Sequence, residues 1–174
     1  MAMTEEQRLF VERVHGAQGI LRGICAVYTQ DEDSHKDLRQ EMLLQLWRSY
    51  RSFHNQSSFS TWMYRVALNT ALMYRRKQKR LLRTVSIDDV TPPHAEDQPA
   101  VDDEDVQILY RCIHLLPKLD RAVILMQLER KRYQEIADVT GLSEDNVSVR
   151  IVRIKQKLRT MLVDCGYKRE AHHE

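Results

Sequence analysis

Tyr133-Gln134-Glu135-Ile136-Ala137-Asp138-Val139-Thr140-Gly141-Leu142-Ser143-Glu144-Asp145-Asn146-Val147 is the stretch on which the fold turns. Its residue types come in the order expected of two helices joined by a tight turn. Ile136 and Ala137 give the first helix an apolar, close-packing edge. Gly141 permits a left-handed backbone, Leu142 supplies the hydrophobe of the turn, and Ser143 can cap the helix that follows. Together these residues are the signature of a helix-turn-helix.

Downstream, Val147, Ile151, Ile154 and Leu158 recur at spacings of 4, 3 and 4, which makes them the buried stripe of the second helix. Ser148, Val149, Val152, Arg153 and Gln156 then point outward. Two outward valines on a basic helix are wasteful unless they meet something. Thymine methyl groups in a major groove would serve, leaving Arg153 for guanine or phosphate. The bland alternative is a surface helix with two stray valines. Arg150, Lys155, Lys157 and Arg159 are better placed for phosphates. Upstream, after Pro117, a further helix is predicted over about 120–130.

The 174 residues, 43% hydrophobic and 30% charged, suffice for one or two small domains and are too few for a large enzyme. Only five Gly and four Pro interrupt the chain, so long helices and an all-α fold are expected. The net charge of +2 conceals a partition along the sequence. Residues 1–83 carry a net +6, residues 84–105 a net −8 without a single Lys or Arg, and residues 106–168 a net +5. Two basic modules joined by an acidic segment imply a common polyanionic partner. The acidic segment also contains Pro92, Pro93 and Pro99 and few periodic apolar residues, so it reads as an extended, flexible linker. Residues 169–174 are a polar tail.

The first basic module reads as a helical bundle. Apolar residues at 10, 14, 17, 21, 24 and 28 predict one helix with Gly16, Gly19 and Gly23 on its opposite side. A second helix over about 34–50 turns Leu38, Met42, Leu46 and Tyr50 inward, with Trp47 beside them. Its other face shows Asp37, Gln40, Glu41, Leu44 and Arg48, an exposed leucine among acids and amides. A third helix is predicted from an N-cap at Ser60 to about Arg80. Met63, Ala67, Thr70, Ala71 and Tyr74 form its core seam. Trp62, Arg65, Asn69, Leu72 and Arg76 form a separate stripe. An aromatic, two guanidiniums and an amide on one face suit single-stranded nucleic acid. A core tryptophan with solvated arginines is the plainer reading of the same pattern. The run Arg75-Arg76-Lys77-Gln78-Lys79-Arg80 attracts any phosphate backbone without sequence preference.

With these residues assembled, the chain resembles the extracytoplasmic-function (ECF) sigma factors of the sigma-70 family over about residues 8–165. The strongest stretches are Asp37-Leu-Arg-Gln-Glu-Met-Leu-Leu-Gln-Leu-Trp-Arg, then Phe53, then Phe59-Ser-Thr-Trp-Met-Tyr-Arg-Val-Ala-Leu-Asn-Thr-Ala, ending in Arg75-Arg76. Leu116-Pro117 and Tyr133-Gln-Glu-Ile-Ala match the family's second domain. The resemblance implies a sigma2-like bundle over 1–83, a linker over 84–105 and a sigma4-like helix-turn-helix domain over 106–168. It implies a bacterial initiation factor that binds core RNA polymerase, through both the β subunit and the β′ clamp helices, and directs it to promoter DNA. Asp37, Gln40, Glu41 and Leu44 would meet the clamp helices. The loop from Phe53 through His54 and Asn55 to Ser58 would hold a base flipped from the minus-ten element. Trp62, Tyr64, Arg65, Asn69 and, in the basic run, Arg76 would help capture the melted strand. Ser148, Val149, Val152 and Arg153 would read the minus-thirty-five element as duplex. The linker would thread toward the RNA-exit path, its charge mimicking RNA.

The sequence also departs from the family. Its recognition helix opens Asp145-Asn146-Val147-Ser148, where Gly-Thr-Val and a basic residue are usual, so no promoter sequence carries over. Leu72 and Met73 stand where an Asp often follows the Asn. Regulation is expected from outside the chain, commonly by an anti-sigma factor in this family, and the free protein is expected to be monomeric.

No apolar run approaches the roughly 20 residues that span a bilayer, and no leader is evident, so a cytoplasmic protein without membrane insertion is expected. The three cysteines, Cys25, Cys112 and Cys165, read as small buried hydrophobes rather than a disulfide framework or zinc site, with a redox-sensing thiol as the alternative reading. No Gly-rich phosphate loop, H-E-x-x-H or ordered Ser/His/Asp set is present, so no enzyme, metal or cofactor is expected. The rival readings are a stand-alone DNA-binding regulator, an interaction protein without promoter activity, and a recombinase or nuclease.

Overall fold

The computed structural model describes residues 3–84 and 104–165, and every element among them is an α-helix. The chain divides into two compact units, Met1–Asp97 and Gln98–Glu174. Most of the expected linker, and the 169–174 tail, lie outside the described residues. At the linker's edges the helices claim more chain than expected: α4 runs on to Thr84, and α5 begins at Glu104. Glu104 and Asp105 place two carboxylates in the first turn of α5, at the positive end of the helix dipole.

The first unit holds α1 (Glu5–Gly16), α2 (Gln18–Tyr28), α3 (Glu32–Tyr50) and α4 (Phe59–Thr84). The single helix predicted across 10–28 is therefore two, broken at Ala17. Gly16 and Gly19 bracket the break, and both disfavour a continuous helix. Ala17 leaves helical geometry at φ −117°, yet its N–H still reaches Val14 O at 3.1 Å. The kink is tight enough that Phe10, Val14, Leu21, Ile24 and Tyr28 all remain buried. Gly23 is buried as well, so the three glycines do not share an outer face. Thr4 and Gln7 cap α1 reciprocally, and Asp31 caps α3 by accepting the Ser34 N–H at 2.7 Å.

Helices α2, α3 and α4 pack against one another, α3 against α4 most extensively. Leu38, Met42 and Leu46 of α3 and Met63, Ala67 and Ala71 of α4 have no exposed surface. Helix α4 starts one residue before its expected cap. The Ser58 hydroxyl, not that of Ser60, accepts the Thr61 N–H at 3.2 Å, and Trp62 N–H closes the first turn on Ser58 O.

The second unit comprises α5 (Glu104–His114), α6 (Lys118–Leu128), α7 (Tyr133–Thr140) and α8 (Glu144–Asp164). Cys112, Ile113, Leu116, Val123, Met126, Ile136, Val147, Ile151 and Ile154 form its core. Arg121 is buried and donates Nε–H to Leu116 O at 2.7 Å, which pins the α5–α6 turn. Helix α6 ends with Arg130 in the left-handed region at φ 55°, while Lys131 N–H bonds to Met126 O and Arg130 N–H to Gln127 O. That paired closure is the arrangement a glycine usually provides. The next turn uses the glycine: Gly141 sits at φ 74° and donates to Ala137 O at 2.8 Å, and Ser143 then caps α8 through the Asn146 N–H.

Candidate nucleic-acid interface

On the first unit, three features lie along α3, α4 and the loop between them. The first is a knot of six aromatic rings. Phe10 stands edge-on to Trp47 and Tyr50, each at 5.0 Å between centroids. Tyr50 passes the chain of contacts to Phe59 and Trp62 at 6.4 and 6.3 Å. Phe53 closes it, 5.1 Å from Trp62 and 5.7 Å from Phe59, and the Arg13 guanidinium sits 5.7 Å over the Phe59 ring.

The knot anchors the α3–α4 loop at its base and leaves its tip outside. Phe53 is half-buried, whereas His54, Asn55 and Gln56 are exposed. Asn55 adopts φ 54°, a left-handed conformation that asparagine tolerates better than most residues. The loop therefore presents polar side chains beside a half-buried Trp62. Trp62 is neither a core residue nor free: it is half-buried, packed against Tyr50, Phe53 and Phe59.

The second feature is the stripe along α4. Arg65, Asn69 and Arg76 are exposed or half-buried, and Leu72 is half-buried. Tyr64 is different. Its ring is 2% exposed and packs in the core seam with Met63 and Ala67, so it cannot lie on the strand-facing surface expected from the sequence. Two positions on from Trp62 in a helix is a turn of about 200°, which carries the side chain to the opposite side.

The third feature is a groove of about 710 Å³ between α3 and α4. Asp37, Gln40, Glu41 and Leu44 line its α3 wall, which gathers the four residues expected to bind polymerase. Asn69, Met73 and Lys77 line the α4 wall, so Asn69 belongs as much to the groove as to the α4 stripe. Leu44 is 40% exposed and Met73 68%. Met73 was missed by sequence reasoning; an exposed thioether between polar turns of α4 was the available signal.

On the second unit, α7 and α8 form the helix-turn-helix. Val149 and Val152 are 50% and 55% exposed, and Arg153 stands exposed beside them, with Ser148 half-buried at the edge. Lys155, Lys157 and Arg159 are exposed along the same helix. Arg150 is not equivalent to them. Its guanidinium donates to Asp120 Oδ1 of α6 at 2.5 Å and is half-buried there, so it holds α8 to α6 instead of standing free for phosphate. Asp120 was not anticipated, because 30 residues separate the pair in sequence.

The bundle and the helix-turn-helix unit each match a family model: Sigma-70 region 2 over residues 14–81 and Sigma-70, region 4 over residues 106–158. The "ECF RNA polymerase sigma-E factor" of Escherichia coli (strain K12) is 31% identical over 134 residues, covering 70% of each chain. This chain is an ECF sigma factor of the sigma-70 family. The sigma-E factor of Haemophilus influenzae is 28% identical over 169 residues, covering 90% of this sigma factor and 89% of the relative. Two solved structures share the fold at 22% identity. One is the sigma factor RpoE in complex with the anti-sigma factor NepR from Bartonella quintana, with a TM-score of 0.74 over 88% of this chain and 96% of that one. The other is CnrH in complex with the cytosolic domain of CnrY, with a TM-score of 0.63 over 91% and 90%. The function of this sigma factor is that of its family: promoter-directed initiation of transcription by RNA polymerase. None of its described helices is long and apolar enough to cross a membrane.

Proposed function

We propose a division of labour among these surfaces. The α3–α4 groove, with Asp37, Gln40, Glu41 and Leu44 on one wall and Met73 on the other, docks core RNA polymerase at the β′ clamp helices. The loop tip His54–Asn55, with Phe53 and Trp62 at its base, receives an unstacked base of the minus-ten element, and Arg65, Asn69 and Arg76 follow the strand. Cations along α4 neutralise its phosphates while the aromatic ring takes the base face. On α8, Val149 and Val152 meet thymine methyl groups in the major groove of the minus-thirty-five element, Arg153 and Ser148 contact base edges, and Lys155 and Lys157 hold phosphates. The bundle that ends with α4 and the unit that begins with α5 are the two working domains, with the acidic segment between them as the tether. The protein acts in the cytoplasm as an initiation factor without catalytic activity of its own, and an anti-sigma factor holds it inactive.

One observation carries this reading: a single chain bears two exposed, cation-bearing surfaces of different kinds. A loop-and-aromatic surface suits single strands, while a helix with outward valines and arginine suits duplex. A stand-alone operator-binding regulator needs only the second.

Run-off transcription from a promoter library, with bacterial core polymerase with and without the chain, tests it. Selective transcripts that appear only with the chain are expected, and their start sites give the promoter sequence directly. Absence of transcripts together with failure to co-elute with core polymerase would overturn the proposal in favour of the stand-alone regulator.

A further inference from the structure

Cys112 and Cys165 do not behave as the isolated buried thiols their spacing implies. Cys112 lies in α5 with no exposed surface, and its thiol donates to Cys165 Sγ at 3.9 Å. Cys165 is the C-cap of α8 and is exposed to solvent. Two sulfurs in contact, one buried and one open, differ in reactivity in a useful way. The exposed thiol meets small oxidants first, and the buried one is already in line behind it.

We propose that Cys112 and Cys165 form an oxidisable dithiol, in which a hydroperoxide oxidises Cys165 and Cys112 resolves it to a disulfide that ties α5 to the end of α8. In the first step the Cys165 thiolate sulfur attacks the peroxide oxygen. The O–O bond breaks, a sulfenic acid forms, and the departing oxygen leaves as water (or as an alcohol from an organic peroxide) after taking up a proton. In the second step the Cys112 sulfur attacks the sulfenic sulfur, the S–O bond breaks, and the hydroxide released takes the Cys112 proton and leaves as water. Two electrons pass from the two thiols to one peroxide.

The geometry needs little adjustment. The sulfurs must approach from 3.9 Å to the usual bond length of about 2.05 Å, and Cys165 is the cap residue that ends its helix. Burial and the neighbouring sulfur push the Cys112 thiol up to about 11, which keeps it protonated and unreactive toward oxidant until Cys165 has reacted. Cys25 provides the internal contrast. It is fully buried, its thiol donates to His35 O at 3.7 Å, and burial pushes it up to about 12. Neither of the other two cysteines belongs to its unit, and it should stay reduced.

The bond would span 53 positions of sequence, enclosing α6, α7 and α8. It would therefore constrain the unfolded state of the whole helix-turn-helix unit while leaving the outward face of α8 untouched.

The full-length reduced protein is treated with graded hydrogen peroxide, alkylated in denaturant and mapped by mass spectrometry without reduction. The expected product is a peptide pair joined through Cys112 and Cys165, lighter by two hydrogens and reversed by dithiothreitol, with Cys25 carrying the alkyl label. Melting of the oxidised protein should rise by on the order of 10 °C. Cys165→Ser, a substitution at an exposed site, should abolish the linked pair, and Cys112→Ser should leave a Cys165 sulfenic acid that dimedone captures. The proposal is overturned if Cys165 proceeds to sulfinic acid, or bonds to a second chain, while Cys112 still takes up the alkyl label. Equal oxidation of Cys112 in the Cys165→Ser protein would overturn the assigned order of reaction.

Discussion

Trp62 is held among the rings of Tyr50, Phe53 and Phe59 and is half-exposed, and its proposed role depends on that half-exposure. Stacking of a base on an aromatic side chain is worth about 1–3 kcal/mol, so Trp62→Ala should slow promoter opening roughly tenfold to a hundredfold. Affinity for core polymerase should change far less. Permanganate reactivity of the melted strand and a polymerase-binding titration separate the two, and equal losses in both would count against strand capture. Arg153→Ala should cost about 1–3 kcal/mol at one base pair of the upstream element and shift preference there. Competition binding across a set of upstream sequences checks it, since uniform weakening would reassign the residue to phosphate. Backbone strain at two positions makes a further pair. Gly141 lies at φ 74° with open space where a Cβ would stand, so Gly141→Ala should cost about 1 kcal/mol from the backbone alone. Arg130 bears that same cost at φ 55°, and Arg130→Gly should be neutral or stabilising in a denaturant titration. Gly141 could be read from the sequence because glycine advertises a left-handed turn. Arg130 could not, because nothing in an arginine between Glu129 and Lys131 marks it.

Among the elements, the helices with a clean apolar stripe were legible and their ends were not. The stripe of α8 placed Val147, Ile151, Ile154 and Leu158 in the core, where the structure has them. The same period ran through Ala17 without revealing the break, since a kink of one residue preserves the side that each apolar residue faces. The cap of α4 moved from Ser60 to Ser58 for a related reason: both serines lie within two residues of the helix start, and the Ser58 hydroxyl is placed to accept the N–H three residues on. The ion pair between Asp120 and Arg150 joins α6 to α8 and was invisible to any reading within one helix. Asp120→Asn should release Arg150 and remove a negative charge near α8, the helix proposed to enter the duplex. Duplex affinity at low salt should then rise by roughly a fewfold, at a stability cost of about 1 kcal/mol. Fluorescence anisotropy with a duplex and thermal unfolding read the two effects, and unchanged affinity would mean that Arg150 lies away from phosphate.

At the scale of the whole molecule, the charge partition was the feature the sequence showed most plainly, and distance along the chain hid the rest. Cys112 and Cys165 are 53 positions apart, and only folding reveals that they touch. Met73 and Leu44 likewise face one groove from two helices. Arg153, Lys155, Lys157 and Arg159 are exposed cations toward the middle of α8. With Lys155 and Lys157 neutralising phosphates, the logarithm of duplex affinity should fall against the logarithm of salt with a slope of about −2 from this helix. A slope near zero in that titration would remove the phosphate role from this helix. The aromatic knot also has an optical consequence. The protein's two tryptophans, Trp47 and Trp62, both belong to it, so every indole lies in the first unit. Emission excited at the red edge therefore reports on the bundle alone. Tyrosine and backbone signals must be used to follow the helix-turn-helix, and comparing the two reads the unfolding of each half in one unmodified chain.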